Sequence, residues 1–283
     1  MTVIVIDNAS SDDTVERVHR RQGVCSVTNK SNLGFAAAVN QGARMAAGAD
    51  CVLLLNPDVE LTASLDALIR ACQVHGIAAG QLTDSEGRPQ AGFTIRRLPT
   101  ATTLIFELFG LNRLWKSNPV NRRYRCLDRN LQQPGPVEQP AGAFLMIRRD
   151  VWERLRGMDE SFYPVWFEDV DFCRRALDSG VRIEYVPSVT AHHRGGHSVG
   201  VLPLGCRALY WCDSLLRYAA KHFRANQYRG VCAAVLLSSV PRGLAGIIRE
   251  RNLELLTVSM RIARMAARRM LSGQAGQIAD GGD

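Results

Sequence analysis

The chain has 283 residues, of which 46% are hydrophobic and 22% charged, as in a globular protein with room for one large domain and an appendage. Its net charge is +8, and residues 200–283 hold +7 of it, with 12 Lys and Arg against 5 Asp and Glu. Because the main body is nearly neutral and shows no recognition module, a nucleic-acid binder is not expected. The eight cysteines form no C-x-x-C pair, which excludes a zinc ribbon and fits a reducing compartment.

Residues 2–83 alternate short apolar runs with longer amphipathic segments. The runs TVIVI, VCSVTN, CVLLL and GIAAGQL predict strands, and GFAAAVNQGARMAA and SLDALIRACQVH predict helices. This alternation predicts an α/β fold with a Rossmann-like, mostly parallel sheet, in which ligands bind at the carboxyl ends of strands. Asp7, Asn29 and the stretch from Asn56 to Asp58 all follow predicted strands.

Residues 95–138 interrupt this alternation with an Arg-rich stretch, which predicts a long, loosely structured excursion. The segment AGAFLMIRRDVWERL then predicts a strand and a helix, FEDVDFCRRALDSG a helix that ends at Gly180, and VRIEYVP a further strand. We therefore expect one domain over residues 1–204.

From residue 205 the pattern is helical and basic, so a helical extension is expected over residues 205–283. Arg261, Arg264 and Arg268 share one face of an amphipathic segment, which favours contact with an anionic membrane surface. A solvated Arg-rich face is the alternative. The apolar stretch 231–248 is interrupted by Pro241 and Arg242 and is a poor candidate for a membrane span, and the N-terminus does not have the pattern of a signal peptide.

Two acidic motifs could carry chemistry. In LLLNPDVE, a buried strand stops at Pro57 and displays Asp58, which could hold a divalent ion on a diphosphate or belong to a plain turn. In WFEDVD, Glu168 and Asp169 could stabilise a helix N-terminus. The aromatic residues before them would raise a carboxyl pKa and exclude water, as a general base requires.

Two further features complete the candidates. AHHRGGHS places His192, His193 and His197 in a Gly-rich loop, where they could bind a divalent ion or form a polar surface loop. Asp7 can accept a hydrogen bond from a base or a ribose hydroxyl. Neither a G-x-G-x-x-G fingerprint nor a P-loop is present.

Taken together, VIVIDNASSDDTVE, NKSNLGFAAAVNQGARMA, VLLLNPDVEL and the segment from AGAFLMIRRDVWERL to AHHRGGHS resemble family 2 glycosyltransferases, most of all their rhamnosyltransferase-like branch. The resemblance is collinear over residues 2–200. It implies a glycosyltransferase-A fold and an inverting transfer of rhamnose or a similar sugar. The donor would be a nucleotide-diphosphate sugar, the acceptor a polysaccharide or lipid-linked glycan, and the cofactor Mg²⁺ or Mn²⁺. We expect a cytoplasmic protein, in peripheral contact with the inner face of the membrane.

The resemblance also assigns roles to individual residues. The nucleotide site would be lined by Asp7, Asn32, Gly34, Asn40 and Asn56. Asp58 and His193 would hold the metal ion, and the catalytic pair would be Glu168 and Asp169, with Asp169 as the base. The acceptor sugar would stack on Trp166 and Phe167.

One departure from the family pattern is large. Family members begin with an earlier strand and helix, and this chain begins at what would be the second strand. We expect two open strand edges as a result, and an in-frame strand–helix coding segment upstream of Met1. The alternative function is that of a truncated, catalytically impaired homologue that only binds.

Overall fold

A computed structural model describes residues 1–195, 203–250 and 254–273, with the backbone alone for 242 and 244–250. The chain divides into two compact units. Met1–Arg96 and Arg129–Gly195 form the first, which holds every described strand and is called the sheet unit below. Arg97–Asp128 and Gly196–Asp283 form the second, the helical unit. The chain thus leaves the sheet unit near residue 96 and returns to it near residue 129, inside the domain that the sequence predicts over 1–204.

The sheet unit begins with two parallel strands and two helices, of which the sequence predicts the two strands and the second helix. They are β1 (Val3–Asp7), α1 (Thr14–His19), β2 (Val24–Thr28) and α2 (Phe35–Met45). β1 and β2 form a two-stranded sheet in which Asp7 is opposite Thr28. Their β-branched residues favour the extended backbone, and α2 is rich in alanine, the best helix former.

The main sheet has six strands in the order β3-β9-β5-β10-β4, with β7 paired to β10. These are β3 (Cys51–Leu55), β4 (Val59–Leu61), β5 (Gly76–Thr83), β7 (Gly135–Pro136), β9 (Phe144–Arg148) and β10 (Arg182–His193). The remaining elements of the unit are α3 (Asp66–His75), β6 (Ile95–Arg96), β8 (Gln139–Pro140), α7 (Arg149–Arg154) and α8 (Glu168–Asp178). β5 is buried along its whole length and lies between β9 and β10.

The pairing of the strands is mixed. β5 runs parallel to β10, whereas β9 is antiparallel to both β3 and β5, and β4 is antiparallel to β10. The α/β class is confirmed, but parallel pairing is found only for β1–β2 and β5–β10 among the described strands. A buried run such as CVLLL looks the same in sequence whichever way its neighbour points, so the apolar pattern does not determine strand direction.

The strands at the ends of each described sheet are paired on one side only. Within the described residues, β1 pairs with β2 alone and β3 pairs with β9 alone. Val3 and Leu55, on these two strands, are both exposed. β2 and β4 are edge strands in the same way, so the expectation that two edges are left open by an absent strand stays a prediction.

The helical unit contains α4 (Ala101–Leu108), α5 (Leu111–Leu114), α6 (Pro119–Tyr124), α9 (Leu204–His222), α10 (Ala225–Glu250) and α11 (Glu254–Ser272). The expectation of a loosely structured excursion is therefore wrong for residues 97–128. Thr100 caps α4 by accepting the backbone N–H of Thr103, and Asn118 caps α6 by accepting that of Asn121. In the described part of the chain, no helix is long and apolar enough to cross a membrane.

The helix α11 confirms the predicted amphipathic pattern, with one arginine, Arg269, among its apolar residues. Ile262 and Ala266 are buried, while Arg261, Arg264 and Arg268 are exposed. Arg269 falls among the apolar residues because its guanidinium pairs with the carboxylate of Asp213 in α9. The apolar stripe therefore packs inside the helical unit, and its basic face points to solvent.

Candidate active site

The register of two strands brings Asp58 and His193 together. β4 is antiparallel to the end of β10, with His193 opposite Val59, so the residue before β4 lies beside the end of β10. The backbone N–H of Arg194 donates to the carbonyl of Asp58, which fixes this corner. Nε2 of His193 then lies 3.6 Å from Oδ2 of Asp58, and both side chains are more than 90% buried. A turn closed from Val59 N–H to the Asn56 carbonyl presents Asp58, so the turn interpretation of LLLNPDVE is confirmed and its metal interpretation stays a prediction.

Gln90 determines which nitrogen of His193 carries the proton. Its amide Nε2–H donates to the backbone carbonyl of His193 (2.8 Å), so its Oε1 must be the atom that faces Nδ1 of the ring, at 2.9 Å. Oε1 can only accept, and Nδ1 is therefore the protonated nitrogen. Phe93 stacks on the imidazole at 5.0 Å with planes 9° apart and holds the ring in place.

Two hydrogen-bond acceptors, Nε2 of His193 and Oδ2 of Asp58, face each other here. The pKa of His193 is lowered, chiefly by burial and also by His192, against the opposing effect of Asp58. With Nδ1 protonated, Nε2 directs its lone pair at the Asp58 carboxylate, with no proton between them. Such a pair fits a divalent cation. In the described residues no group of three or more His, Cys, Asp and Glu could hold one, so other ligands would be diphosphate and water oxygens, as Mg²⁺ prefers.

A second group of residues holds Asp169 in the first turn of α8. Its Oδ2 accepts the backbone N–H of Gly142 (3.0 Å) and, more weakly, Nε2 of Gln139 (3.4 Å), and its Oδ1 accepts the N–H of Val170. Burial raises the pKa of Asp169, while the Gly142 N–H and the charge of Arg96 act in the opposite direction. A carboxylate that is fixed in direction and has a raised pKa suits a general base.

The neighbours of Asp169 have distinct roles. Glu168 is buried, and burial, together with the charge of Asp169, raises its pKa well above the ordinary value. Its Oε2 has no hydrogen-bond partner among the described residues. Trp166 and Phe167 both have positive φ, of 81° and 69°, a strained backbone for non-glycine residues that is often found at functional sites. Phe167 is buried and Trp166 is partly exposed, so of the two predicted acceptor platforms only Trp166 is accessible to solvent.

Backbone hydrogen bonds connect the Asp58 corner to Asp169. The N–H of Asn56, two residues before Asp58, donates to the carbonyl of Ala143 at 3.1 Å. The preceding residue, Gly142, donates its N–H to Asp169. The path from one carboxylate to the other therefore passes from the end of β3 to the start of β9, within one compact unit. The predicted metal ligands and the predicted base thus lie on segments of the sheet unit that backbone hydrogen bonds join.

The amino-acid sequence also matches a known family of enzymes. Residues 1–156 match the family model described as glycosyl transferase family 2. The chain belongs to glycosyl transferase family 2. A second model, described as the N-terminal domain of galactosyltransferase, matches residues 122–196, which include Asp169 and His193.

Named relatives place this family 2 chain near rhamnosyltransferases. The N-acetylglucosaminyl-diphospho-decaprenol L-rhamnosyltransferase of Mycobacterium tuberculosis (strain ATCC 25618 / H37Rv) is 30% identical over 239 residues, which cover 78% of this chain and 76% of that protein. The rhamnosyltransferase WbbL of Escherichia coli (strain K12) is 25% identical over 152 residues, covering 52% and 53% of the two chains. The predicted resemblance to this branch is confirmed.

A solved structure shows the fold of this family 2 transferase. The crystal structure of GalNAc-T7 with UDP, GalNAc and Mn²⁺ superposes with a TM-score of 0.54 at 15% identity. The superposition covers 96% of this chain and 51% of the GalNAc-T7 chain, so this chain spans about half of that structure. The glycosyltransferase-A fold is thereby confirmed.

Of the predicted nucleotide-site residues of the family 2 chain, Asp7, Asn32 and Gly34 lie around the ends of β1 and β2, whereas Asn40 lies in α2 and Asn56 at the tip of β3. Asp7 is buried, and its Oδ2 accepts the N–H of Ser10. Asn8 follows and donates to the carbonyl of Gly34, and its Oδ1 accepts from Asn29. Asn32, which is exposed, accepts the N–H of Gly34. Asn56 lies at the tip of β3, in the backbone path to Asp169.

Gly34 and Asn40, two of the predicted nucleotide-site residues, also hold neighbouring loops in place. Gly34 has φ +88°, and a Cβ there would lie 2.9 Å from the Tyr163 ring, so only glycine allows the loop before α8 to approach. The amide of Asn40 is buried, donating to the Met158 carbonyl and to Glu160 and accepting the N–H of Met158. Asn40 therefore ties α2 to the loop after α7 and holds the cluster in position.

The segment 90–96 also contributes to the candidate site, and the sequence alone did not reveal it. Gln90 and Phe93 hold His193, and Arg96, whose guanidinium lies over the Phe93 ring, acts electrostatically on Asp169. Gln90 and His193 are 103 positions apart, so no local spacing could have linked them. His197, the third histidine of the motif, lies outside the described residues.

Proposed function

We propose that this chain transfers rhamnose or a similar hexose from a nucleotide-diphosphate sugar to a lipid-linked glycan or polysaccharide acceptor, with inversion at the anomeric carbon. One observation carries the proposal. Asp169 accepts the N–H of Gly142, and the next residue, Ala143, is hydrogen-bonded through Asn56 to the strand end that presents Asp58 beside His193. Family membership supports the transfer of a glycosyl group. The name of the mycobacterial relative supports rhamnose as the sugar and a lipid diphosphate as the acceptor.

The proton transfer belongs to Asp169. The acceptor hydroxyl oxygen attacks the anomeric carbon while Asp169 takes its proton, and the bond to the diphosphate oxygen breaks with its electrons on the diphosphate. A single displacement of this kind inverts the anomeric centre. The Gly142 N–H keeps the carboxylate directed before the reaction, the charge of Arg96 favours its ionised form, and Trp166 would contact the acceptor sugar.

Asp58 and His193 would hold a Mg²⁺ or Mn²⁺ ion. Such an ion, when bound, neutralises charge on the departing diphosphate. The chain supplies a carboxylate oxygen and a neutral imidazole nitrogen, and Gln90 keeps the nitrogen unprotonated. Asp7, Asn32 and the backbone at Gly34 would bind the nucleoside at the ends of β1 and β2.

The helical unit provides a proposed contact with an anionic membrane surface through the exposed Arg261, Arg264 and Arg268 of α11. All eight cysteines are free, which supports a reducing, cytoplasmic compartment at the inner face of the membrane. If vesicle co-sedimentation at low salt is unchanged when the three arginines are replaced by glutamine, this contact is not made.

The decisive test is turnover. The purified chain is incubated with UDP-, dTDP- and GDP-sugars, Mn²⁺ and a lipid-diphosphate acceptor, and Asp169→Asn is the matched control. We expect the wild-type chain to consume one donor class. The rate of consumption by Asp169→Asn should be lower by about 100-fold or more. Equal rates for the two proteins would contradict the assignment of the base.

A second candidate is a catalytically impaired homologue that binds a nucleotide sugar without transferring it. Both candidates retain the arrangement of Asp58, His193 and Asp169, so turnover rather than binding distinguishes them. Thermal-shift screening together with the turnover assay separates the two: stabilisation by a nucleotide sugar without turnover supports the impaired homologue, and stabilisation with turnover supports the enzyme.

A further inference from the structure

The helical unit exposes an apolar patch at the turn from α4 to α6. Its members are Phe109, Leu111, Leu114 and Trp115, four large side chains within seven residues. Leu114 is 83% exposed and Trp115 is 60% exposed. Single exposed apolar residues are ordinary, but a contiguous group on a protein surface marks a contact with a partner or a membrane.

The turn beneath the patch is built from buried asparagines. Asn118 donates to the Asn112 side chain (3.1 Å) and to the Trp115 carbonyl (2.6 Å). Asn121 donates its side-chain amide to the Lys116 carbonyl (2.7 Å) and its backbone N–H to Asn118. The usual distribution is inverted here, since polar amides are buried and leucine and tryptophan face water. These hydrogen bonds fix the backbone that displays the patch, so the exposure of the apolar side chains follows from the local fold.

The charged residues within the segment 109–123 have one sign, and the nearby Glu107 is paired with Arg125. Arg113, Lys116, Arg122 and Arg123 are all exposed, and residues 109–123 contain no Asp or Glu. Tryptophan and leucine flanked by lysine and arginine are typical of segments that lie at a bilayer interface. Pairing two copies through this patch would bring four cations of one copy against four of the other, which disfavours a dimer.

We propose that the α4–α6 patch docks the helical unit on the surface of an anionic phospholipid bilayer. Leu114 and Trp115 enter the boundary between head groups and acyl chains, and the four cations contact anionic head groups. This surface is separate in sequence from the basic face of α11, and the inference rests on the helical unit alone, whatever reaction the sheet unit carries out.

The test is binding to vesicles of phosphatidylcholine alone and of phosphatidylcholine with phosphatidylglycerol, in low and high salt. The test protein combines Leu114→Ser with Trp115→Ser, and the matched control is Val74→Ser, a comparably exposed residue of the sheet unit. We expect the double variant to lose about tenfold or more in partitioning onto anionic vesicles, and the control to bind as wild type. Each of the four cations should contribute about fivefold at low salt.

Further measurements distinguish docking through the α4–α6 patch from docking through α11 and from dimerisation. Quenching by brominated lipid should reach Trp115 and be reduced in Trp115→Phe. Replacing Arg261, Arg264 and Arg268 by glutamine tests α11 separately. Three outcomes would each overturn the proposal. They are loss of binding only in the triple arginine variant, equal binding of the wild type and the double variant, and a wild-type dimer that the double variant abolishes. Thermal unfolding of the double variant, expected to match wild type because both positions are exposed, excludes misfolding.

Discussion

Replacing Gln90 by leucine tests the proposed metal corner most directly. The change keeps a side chain of similar size but removes the acceptor for Nδ1–H of His193 and the donor to its carbonyl. The ring can then carry its proton on Nε2, and its lone pair is then on Nδ1, which does not face the Asp58 carboxylate. We expect weaker binding of Mn²⁺ in the presence of a nucleoside diphosphate.

The size of the effect can be worked from the two contacts. Each hydrogen bond contributes about 0.5–1.5 kcal/mol, so together they hold the ring by about 1–3 kcal/mol. Removing a partner of a metal-binding histidine lowers metal affinity about 10–100-fold, which corresponds to about 1.4–2.7 kcal/mol. The two estimates agree, and we expect a loss within that range.

Two measurements read out different steps. Electron paramagnetic resonance of free Mn²⁺ gives the dissociation constant, and nitrogen NMR of the metal-free protein gives the protonated nitrogen of His193. Gln90→Glu keeps an acceptor at Nδ1 and should retain most of the affinity, and Gln132→Leu, at an exposed glutamine of the same unit, is the neutral control. If Gln90→Leu binds Mn²⁺ within twofold of wild type and keeps its proton on Nδ1, the reasoning is wrong.

Three further predictions concern the base and its surroundings. Gly142→Ala places a Cβ 3.0 Å from that of Asp169, so kcat should fall about tenfold or more with nucleotide affinity by calorimetry unchanged; an unchanged kcat contradicts the geometry. Glu168 has a raised folded-state pKa, so the folded state retains a proton that the unfolded state releases and stability falls as pH rises. Glu168→Gln should therefore gain more in Tm over wild type at pH 8 than at pH 5, and an equal gain at both would refute the raised pKa. Gly34→Ala should lose about 1–3 kcal/mol in urea unfolding, whereas Gly48→Ala, with open space around it, should change stability little.

The sequence predicted those parts of the site that lie at the ends of recognisable elements. Asp58 ends a buried strand and Asp169 begins an amphipathic helix, so local patterns located both of them. The contact between Asp58 and His193 follows from the β4–β10 register, which the local pattern does not specify. The family resemblance supplied it instead.

Other parts could not be predicted from local patterns. Gln90 is an ordinary polar residue after a strand, and only the tertiary fold places it on His193. The helices in 97–128 were missed although part of the signal was present: Asn118 and Pro119 are a cap and a first-turn proline. The Arg-rich composition hid this signal, because each helix is too short to show an apolar period.

The segment 90–96 gives the two halves of the site a common support. Gln90 and Phe93 set the protonation and plane of His193, and Arg96 acts on the carboxylate of Asp169. The backbone path through Asn56 and Ala143 joins the same two halves from the side of the strand tips. A displacement of 90–96 would therefore disturb the metal corner and the base together, although neither function resides in this segment. Changes there should affect metal affinity and kcat jointly, whereas changes at Gly142 should affect kcat alone.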